Sequence, residues 1–219
     1  MTVLTDQVRN GNIYVYKLTC DNGGAPCIHE GLLSLSICKP RIRMSASVGD
    51  WIIGFGGKSV EELRDKLIYV AKVTAVERDG NYYKSHRYVD RPDCVYEPLN
   101  QGYQYRKGKQ YHCPGEFDHD LGRCPKFERA TCLLSDQFAY FGGAKDRPSI
   151  DAVRDIYGGL PRNFRKNHPD KIRHRLENYI VSVFTFKTGG DSGSPAHHDT
   201  SMKCYDIEDE VVTFARCSR

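Results

Sequence analysis

Tryptophan occurs once and methionine three times in the 219 residues. No apolar run approaches the ~20 residues that a membrane-spanning helix needs; the longest covers only Tyr179 to Phe186. The first ten residues, Met1 to Asn10, lack the basic start and apolar core of a secretory signal. The expectation is therefore a cytoplasmic chain with reduced thiols and no membrane partner. No charge sign dominates: 32 basic residues stand against 28 acidic ones, a net +4. Nucleic acid would have to be held by local patches. None of the nine cysteines forms a Cys-x-x-Cys pair, and no internal repeat is present. A hydrophobic fraction of 39% with a mean hydropathy of −0.58 excludes a wholly disordered chain.

What is present is tyrosine, 14 of them, and a pattern that is strand-rich first and helix-rich later. Residues 13–19, 32–38 and 50–55 read as strands, the last nearly all apolar and therefore central. Ser59-Val-Glu-Glu62 reads as a capping box opening a short helix. Residues 67–77 read as a long strand, Tyr82-Tyr83 as the start of another, and 137–141 as a further one. Residues 85–130 are polar and aperiodic, which suits a functional, metal-bound or mobile stretch. Ser149 can cap a helix to Tyr157. Ile172, Leu176, Tyr179, Ile180, Val183 and Phe184 share one face of a helix spanning about 171–184. Residues 188–203 read as a linker, and 211–215 as a last strand. This order predicts the α+β class. The domain expectation is a β-rich core over 1–143, carrying the 85–130 insertion, with a helical extension over 144–219.

The most informative segment is Ile37-Cys-Lys-Pro-Arg-Ile-Arg43, followed by Ser47-Val-Gly-Asp-Trp-Ile-Ile-Gly-Phe-Gly56. If extended, Lys39, Arg41 and Arg43 project to one side beside the only tryptophan, an arrangement that suits phosphate plus base. The plainer reading is a solvated edge stripe. Gly49-Asp-Trp-Ile-Ile-Gly-Phe-Gly56 with Leu67-Ile-Tyr-Val-Ala-Lys-Val-Thr74 resembles the core of PUA-like β-barrels, the group of EVE, ASCH and YTH domains. More narrowly, Tyr16-Lys-Leu-Thr-Cys-Asp21, Ile37 to Arg43, Gly49 to Gly56 and Leu133-Leu-Ser-Asp-Gln-Phe-Ala-Tyr-Phe-Gly-Gly143 together resemble the second nucleotide-modification-associated domain family.

The resemblance implies a PUA-like barrel core and a phage or bacterial setting of DNA modification or defence. It implies binding of a nucleic acid or nucleotide through a modified or flipped base. Matched positions carry over as ligand contacts: Lys39, Arg41 and Arg43 to phosphate, and Trp51 and Phe55 as pocket or core. An enzyme that installs or processes a base modification is an alternative, as is a protein that sequesters a nucleotide-derived signal.

Residues 102–111 add Tyr103, Tyr105, Arg106 and Lys107, aromatics interleaved with cations and no acid, as single-stranded or flipped nucleic acid requires. An ordinary hairpin tip reads the same way. Residues 162–175 hold six cations and one acid around the start of the long helix. Cys94, His112, Cys113, His119, Cys124 and Cys132 are weak zinc candidates, scattered thiols being the simpler reading, and no cofactor is favoured. Gly190-Asp-Ser-Gly-Ser-Pro195 imitates a serine-protease loop, but no matching histidine context precedes it. Asp50, Asp136 and Cys38 are the available bases or nucleophiles, none with a partner visible in the sequence.

Overall fold

The structure is a computed structural model and describes residues 2–58, 61–100, 102–109, 111–112, 116–161, 163–186, 193–197 and 214–216. The strands are β1 (Ile13–Leu18), β2 (Cys27–His29), β3 (Leu32–Leu35), β4 (Trp51–Gly56), β5 (Leu67–Lys72), β6 (Ala75–Glu77), β7 (Tyr96–Leu99), β8 (Gly102–Tyr105), β9 (Cys132–Ser135), β10 (Gln137–Tyr140), β11 (Phe164–Arg165) and β12 (Phe214–Arg216). The α-helices are α1 (Thr2–Asn10), α2 (Pro40–Ser45), α3 (Asn81–Lys84), α4 (Phe117–Asp120), α5 (Arg154–Gly158) and α6 (Asp170–Phe186). The class is α+β. No described helix is long and apolar enough to cross a membrane. The chain divides into two units, 1–21, 46–75 and 135–197 against 22–45, 76–134 and 198–219.

The first unit is built on a five-stranded sheet ordered β10-β5-β4-β1-β11. Every residue of β4 is buried, as its apolar sequence predicts for a central strand. It pairs parallel with β1, Ile13 opposite Trp51, and antiparallel with β5. A side chain at Gly54 would collide with the Tyr69 ring and Leu18, so the strand tolerates only glycine there. Leu176, Tyr179, Ile180 and Val183 of α6 are buried in the same core as Trp51, Phe55 and Val8. Asp50 serves the turn before β4: its carboxylate accepts from the Asn12 amide at 2.7 Å and the Ser47 amide at 2.9 Å. Asp136 is exposed.

The second unit carries the sheets β12-β8-β7 and β2-β3-β9-β6. Among the described residues none of the three sheets closes, so the structure shows open sheets where a PUA-like barrel was expected. Tyr82-Tyr83 lie in α3, not a strand. Their side chains are buried, Tyr82 stacked on Tyr88 at 4.7 Å. The segment 67–77 breaks into β5 and β6. A 3-10 turn, Glu61–Leu63, stands where a short helix was expected, and the capping serine lies outside the described residues.

The described part of residues 85–130 is not an open loop. Buried Asp93 accepts hydrogen bonds from Ser34 (2.7 Å), Ser36 (2.6 Å) and Tyr82 (2.8 Å). Arg91 donates to the Tyr82 hydroxyl at 3.0 Å, the Ser34 hydroxyl at 2.7 Å and the carbonyl of Leu32 at 3.1 Å. A satisfied polar network orders this stretch. Such a network has no periodicity, which is why the sequence reads as unstructured here.

Candidate functional site

The site lies wholly within the second unit and begins at a turn. β3 ends at Leu35 and α2 starts at Pro40, a residue whose fixed φ suits the first helical position. Between them Cys38 has φ 56° and Lys39 φ 40°, two consecutive non-glycine residues in the left-handed region. Each costs of order 1 kcal/mol or more and persists only where its surroundings enforce it. The turn lifts the half-buried, free Cys38 thiol off the end of the strand.

Cys38 Sγ lies 2.9 Å from His112 Nε2, and His112 Nδ1 lies 2.5 Å from Asp120 Oδ2. The carboxylate accepts at Nδ1, so that nitrogen carries a proton and Nε2 faces the sulfur. Tyr96 donates to the same Asp120 oxygen at 2.7 Å. The other oxygen accepts the backbone amide of Cys38 at 2.8 Å and lies 3.7 Å from the Arg43 guanidinium. His112 is 8% exposed and Asp120 is fully buried. Burial opposes charge on His112, but hydrogen bonds to Asp120 and Cys38 outweigh it and raise its pKa to about 10. Burial likewise opposes the Asp120 carboxylate, yet His112, Arg43 and Tyr96 hold it below the usual carboxylate range. A thiol, an imidazole and a carboxylate thus stand in series, an arrangement able to activate a thiol.

Two supports fix this geometry. The first is Arg43, fully buried in α2. It donates to the carbonyls of Cys38 (2.7 Å), Asp120 (2.9 Å), Arg129 (2.6 Å) and Thr131 (2.6 Å). The second is the loop before His112. Tyr105 donates to the carbonyls of Lys109 (2.9 Å) and Tyr111 (2.6 Å), and Lys109 donates to the carbonyls of Val89 (3.0 Å) and Arg91 (2.8 Å). The Tyr111 ring lies against Gly24, where a Cβ would come within 2.8 Å of it.

The residues singled out as ligand contacts therefore separate. Lys39–Arg43 is not an extended stripe. Arg41 is exposed on α2, and Lys39 is half-buried beside the nucleophile. Burial lowers the Lys39 pKa against the opposing charge of Cys38. Arg43 faces inward and is spent on carbonyls. Trp51 and Phe55 have no exposed surface; they pack on Phe184 at 5.5 Å and on Tyr157 at 5.7 Å in the first unit. Tyr103 is buried against Phe127 at 5.0 Å. Tyr105 and Arg106 are half-buried; Arg106 pairs with Glu97 at 3.0 Å, and Lys107 is exposed.

Among the described residues no group of three His, Cys, Asp or Glu is arranged to hold a metal. Cys94 and Cys132 are free and buried, and His119 is exposed. Cys124 is disulfide-bonded, a departure from the expected reduced thiols. Cys113 and Ser192 lie outside the described residues. The site residues that sequence reasoning missed are His112, weighed only as a metal ligand, Asp120 and Tyr96. Cys38 had been noted without its partners, and the only local hint was its place between a strand and a proline-led helix.

A family model described as nucleotide modification associated domain 2 matches residues 10–201. No curated protein and no solved structure matches the chain. The match takes in β1, the turn of Cys38, His112, Asp120 and α6. The chain belongs to the nucleotide modification associated domain 2 family.

Proposed function

We propose that this protein is an enzyme that processes a modified base or nucleotide with Cys38 as nucleophile, His112 as general base and acid, and Asp120 as the group that orients His112. The observation that carries the reading is the unbroken series Cys38 Sγ, His112 and Asp120, at 2.9 and 2.5 Å. The imidazole of His112 faces the sulfur at hydrogen-bond distance, where it can take up the thiol proton. Membership of a family associated with nucleotide modification supports a nucleotide or base as the molecule acted on. The exposed cations Arg41 and Lys107, with half-buried Lys39, supply positive charge in the unit that holds the nucleophile and suit an anionic substrate.

The test is alkylation of the full chain by iodoacetamide at neutral pH, followed by peptide mapping. Cys38 is expected to be modified well ahead of Cys20, which is also a half-buried thiol outside any disulfide. His112→Ala is expected to remove that lead. Equal rates at Cys38 and Cys20 in the unaltered protein sink the assignment. Incubation with modified nucleotides and oligonucleotides, followed by nucleoside digestion, then reports the substrate as a product that Cys38→Ser does not form.

A further inference from the structure

We infer that the chemistry at Cys38 is acyl transfer through a thioester, so that the substrate is a nucleotide or base bearing a carboxamide or ester carbonyl. The inference rests on the reading of Cys38 as nucleophile and goes one step further, to the bond that breaks.

The direction in which His112 can deliver a proton decides between chemistries. Nδ1 is held by Asp120 at 2.5 Å, so only Nε2 can exchange a proton with a substrate, and Nε2 lies 2.9 Å from the sulfur. A proton released there arrives next to the atom that Cys38 attacks. Acyl transfer requires this, because the leaving amine or alkoxide is bonded to the attacked carbon itself. Attack on a pyrimidine ring carbon would develop its charge on an exocyclic oxygen several bonds from the sulfur. Simple alkyl transfer to the thiol would need no returned proton. A histidine fixed this firmly, by a carboxylate that also holds the Cys38 amide at 2.8 Å, suits a reaction in which one nitrogen serves both halves.

The steps balance without an oxidant or reductant. The sulfur anion adds to the carbonyl carbon; a C–S bond forms and the π electrons move to oxygen. Collapse of the adduct breaks the C–N or C–O bond as His112 gives its Nε2 proton to the leaving group. That leaves a thioester on Cys38. Water then gives a proton to Nε2 and attacks the thioester carbon. The C–S bond breaks and the thiolate returns. The net change is amide or ester plus water to carboxylic acid plus amine or alcohol.

The test uses the full chain and p-nitrophenyl acetate, read by p-nitrophenolate release and intact mass, alongside iodoacetamide. Expected are an acetyl adduct mapping to Cys38, discharged by hydroxylamine, and turnover that falls about 100-fold or more in His112→Gln. Thermal unfolding of that variant separates loss of chemistry from loss of fold. Asp120→Asn, which keeps the shape of the acid, is the second variant should His112→Gln fail to fold. If Cys38 is alkylated by iodoacetamide with His112-dependent speed but takes no acetyl group, the nucleophile stands and acyl transfer is overturned. If neither reagent prefers Cys38 to Cys20, both readings fall together.

Discussion

Asp120 reaches Cys38 by two routes: through the imidazole of His112, and directly, by accepting the Cys38 backbone amide at 2.8 Å. The carboxylate that holds the His112 ring also braces the strained turn that carries the sulfur. Asp120→Asn should therefore do more than misplace a proton. On the proposed reading, a loss of about 10²–10⁴ in Cys38-dependent turnover is expected. Asp120→Ala, which strands the buried Arg43 charge, should in addition cost about 3–5 kcal/mol by urea unfolding. Full activity in Asp120→Asn would contradict this account.

The two arginines of α2, two residues apart, should behave in opposite ways. Arg43 donates to four carbonyls from a fully buried position, and Arg41 is exposed. Arg43→Met leaves those carbonyls and Asp120 without their donor and is expected to cost about 3–5 kcal/mol. Arg41→Ala should change stability by no more than ~0.5 kcal/mol. On the proposed reading it weakens binding of an anionic substrate in a salt-dependent way. Thermal unfolding of both variants, with binding at two salt concentrations for the second, checks the contrast.

His112 ties stability to pH. Its folded pKa of about 10 lies above the ordinary 6.5, so the folded state holds the proton more tightly than the unfolded one. The resulting stabilisation is complete below pH 6.5 and is lost as the pH rises toward 10. The urea midpoint should fall across that window, and fall less in His112→Gln, which has no such proton. Parallel pH profiles for the two proteins would count against the ion pair.

Trp51 offers the reverse case, a residue marked by the sequence that structure places in a core. Its indole nitrogen is buried with no hydrogen-bond partner among the described residues, so replacing it with phenylalanine removes an unsatisfied donor as well as some apolar area. Trp51→Phe should cost only about 1 kcal/mol and leave the alkylation rate of Cys38 unchanged. A slowed Cys38 would link this side chain to the site.

The fold was legible where physics is local. The apolar run 51–55 announced a central strand, and the spacing of Ile172 to Val183 announced the long helix, because burial repeats at the period of the element. The site was legible only in part. Cys38 stood out inside a motif, but His112 lies 74 residues away and Asp120 82, and neither separation leaves a trace in local pattern. Arg43 and Tyr105 read as ligand contacts in the sequence for the same reason, since their partners in the fold are backbone carbonyls, those of Arg43 mostly far along the chain. A cation or a tyrosine in a polar stretch looks like a ligand contact until its carbonyl partners are known. Tyr82 and Tyr83 favour strands by propensity, yet their ring contacts with Tyr88 and Tyr96 and hydroxyl bonds to Asp93 and Ser36 hold them in a helical turn.

The unit that houses the triad is assembled from separate stretches of chain, 22–45 and 76–134, with part of the five-stranded sheet encoded between them. During synthesis Cys38 leaves the ribosome long before His112 and Asp120 exist. On the proposed reading, activation of that thiol waits on closure of a long loop, a slow, high-contact-order event. Reactivity at Cys38 then becomes a clock for folding. A refolding chain quenched with iodoacetamide at successive times would report, in a single residue's labelling, when the second unit closes.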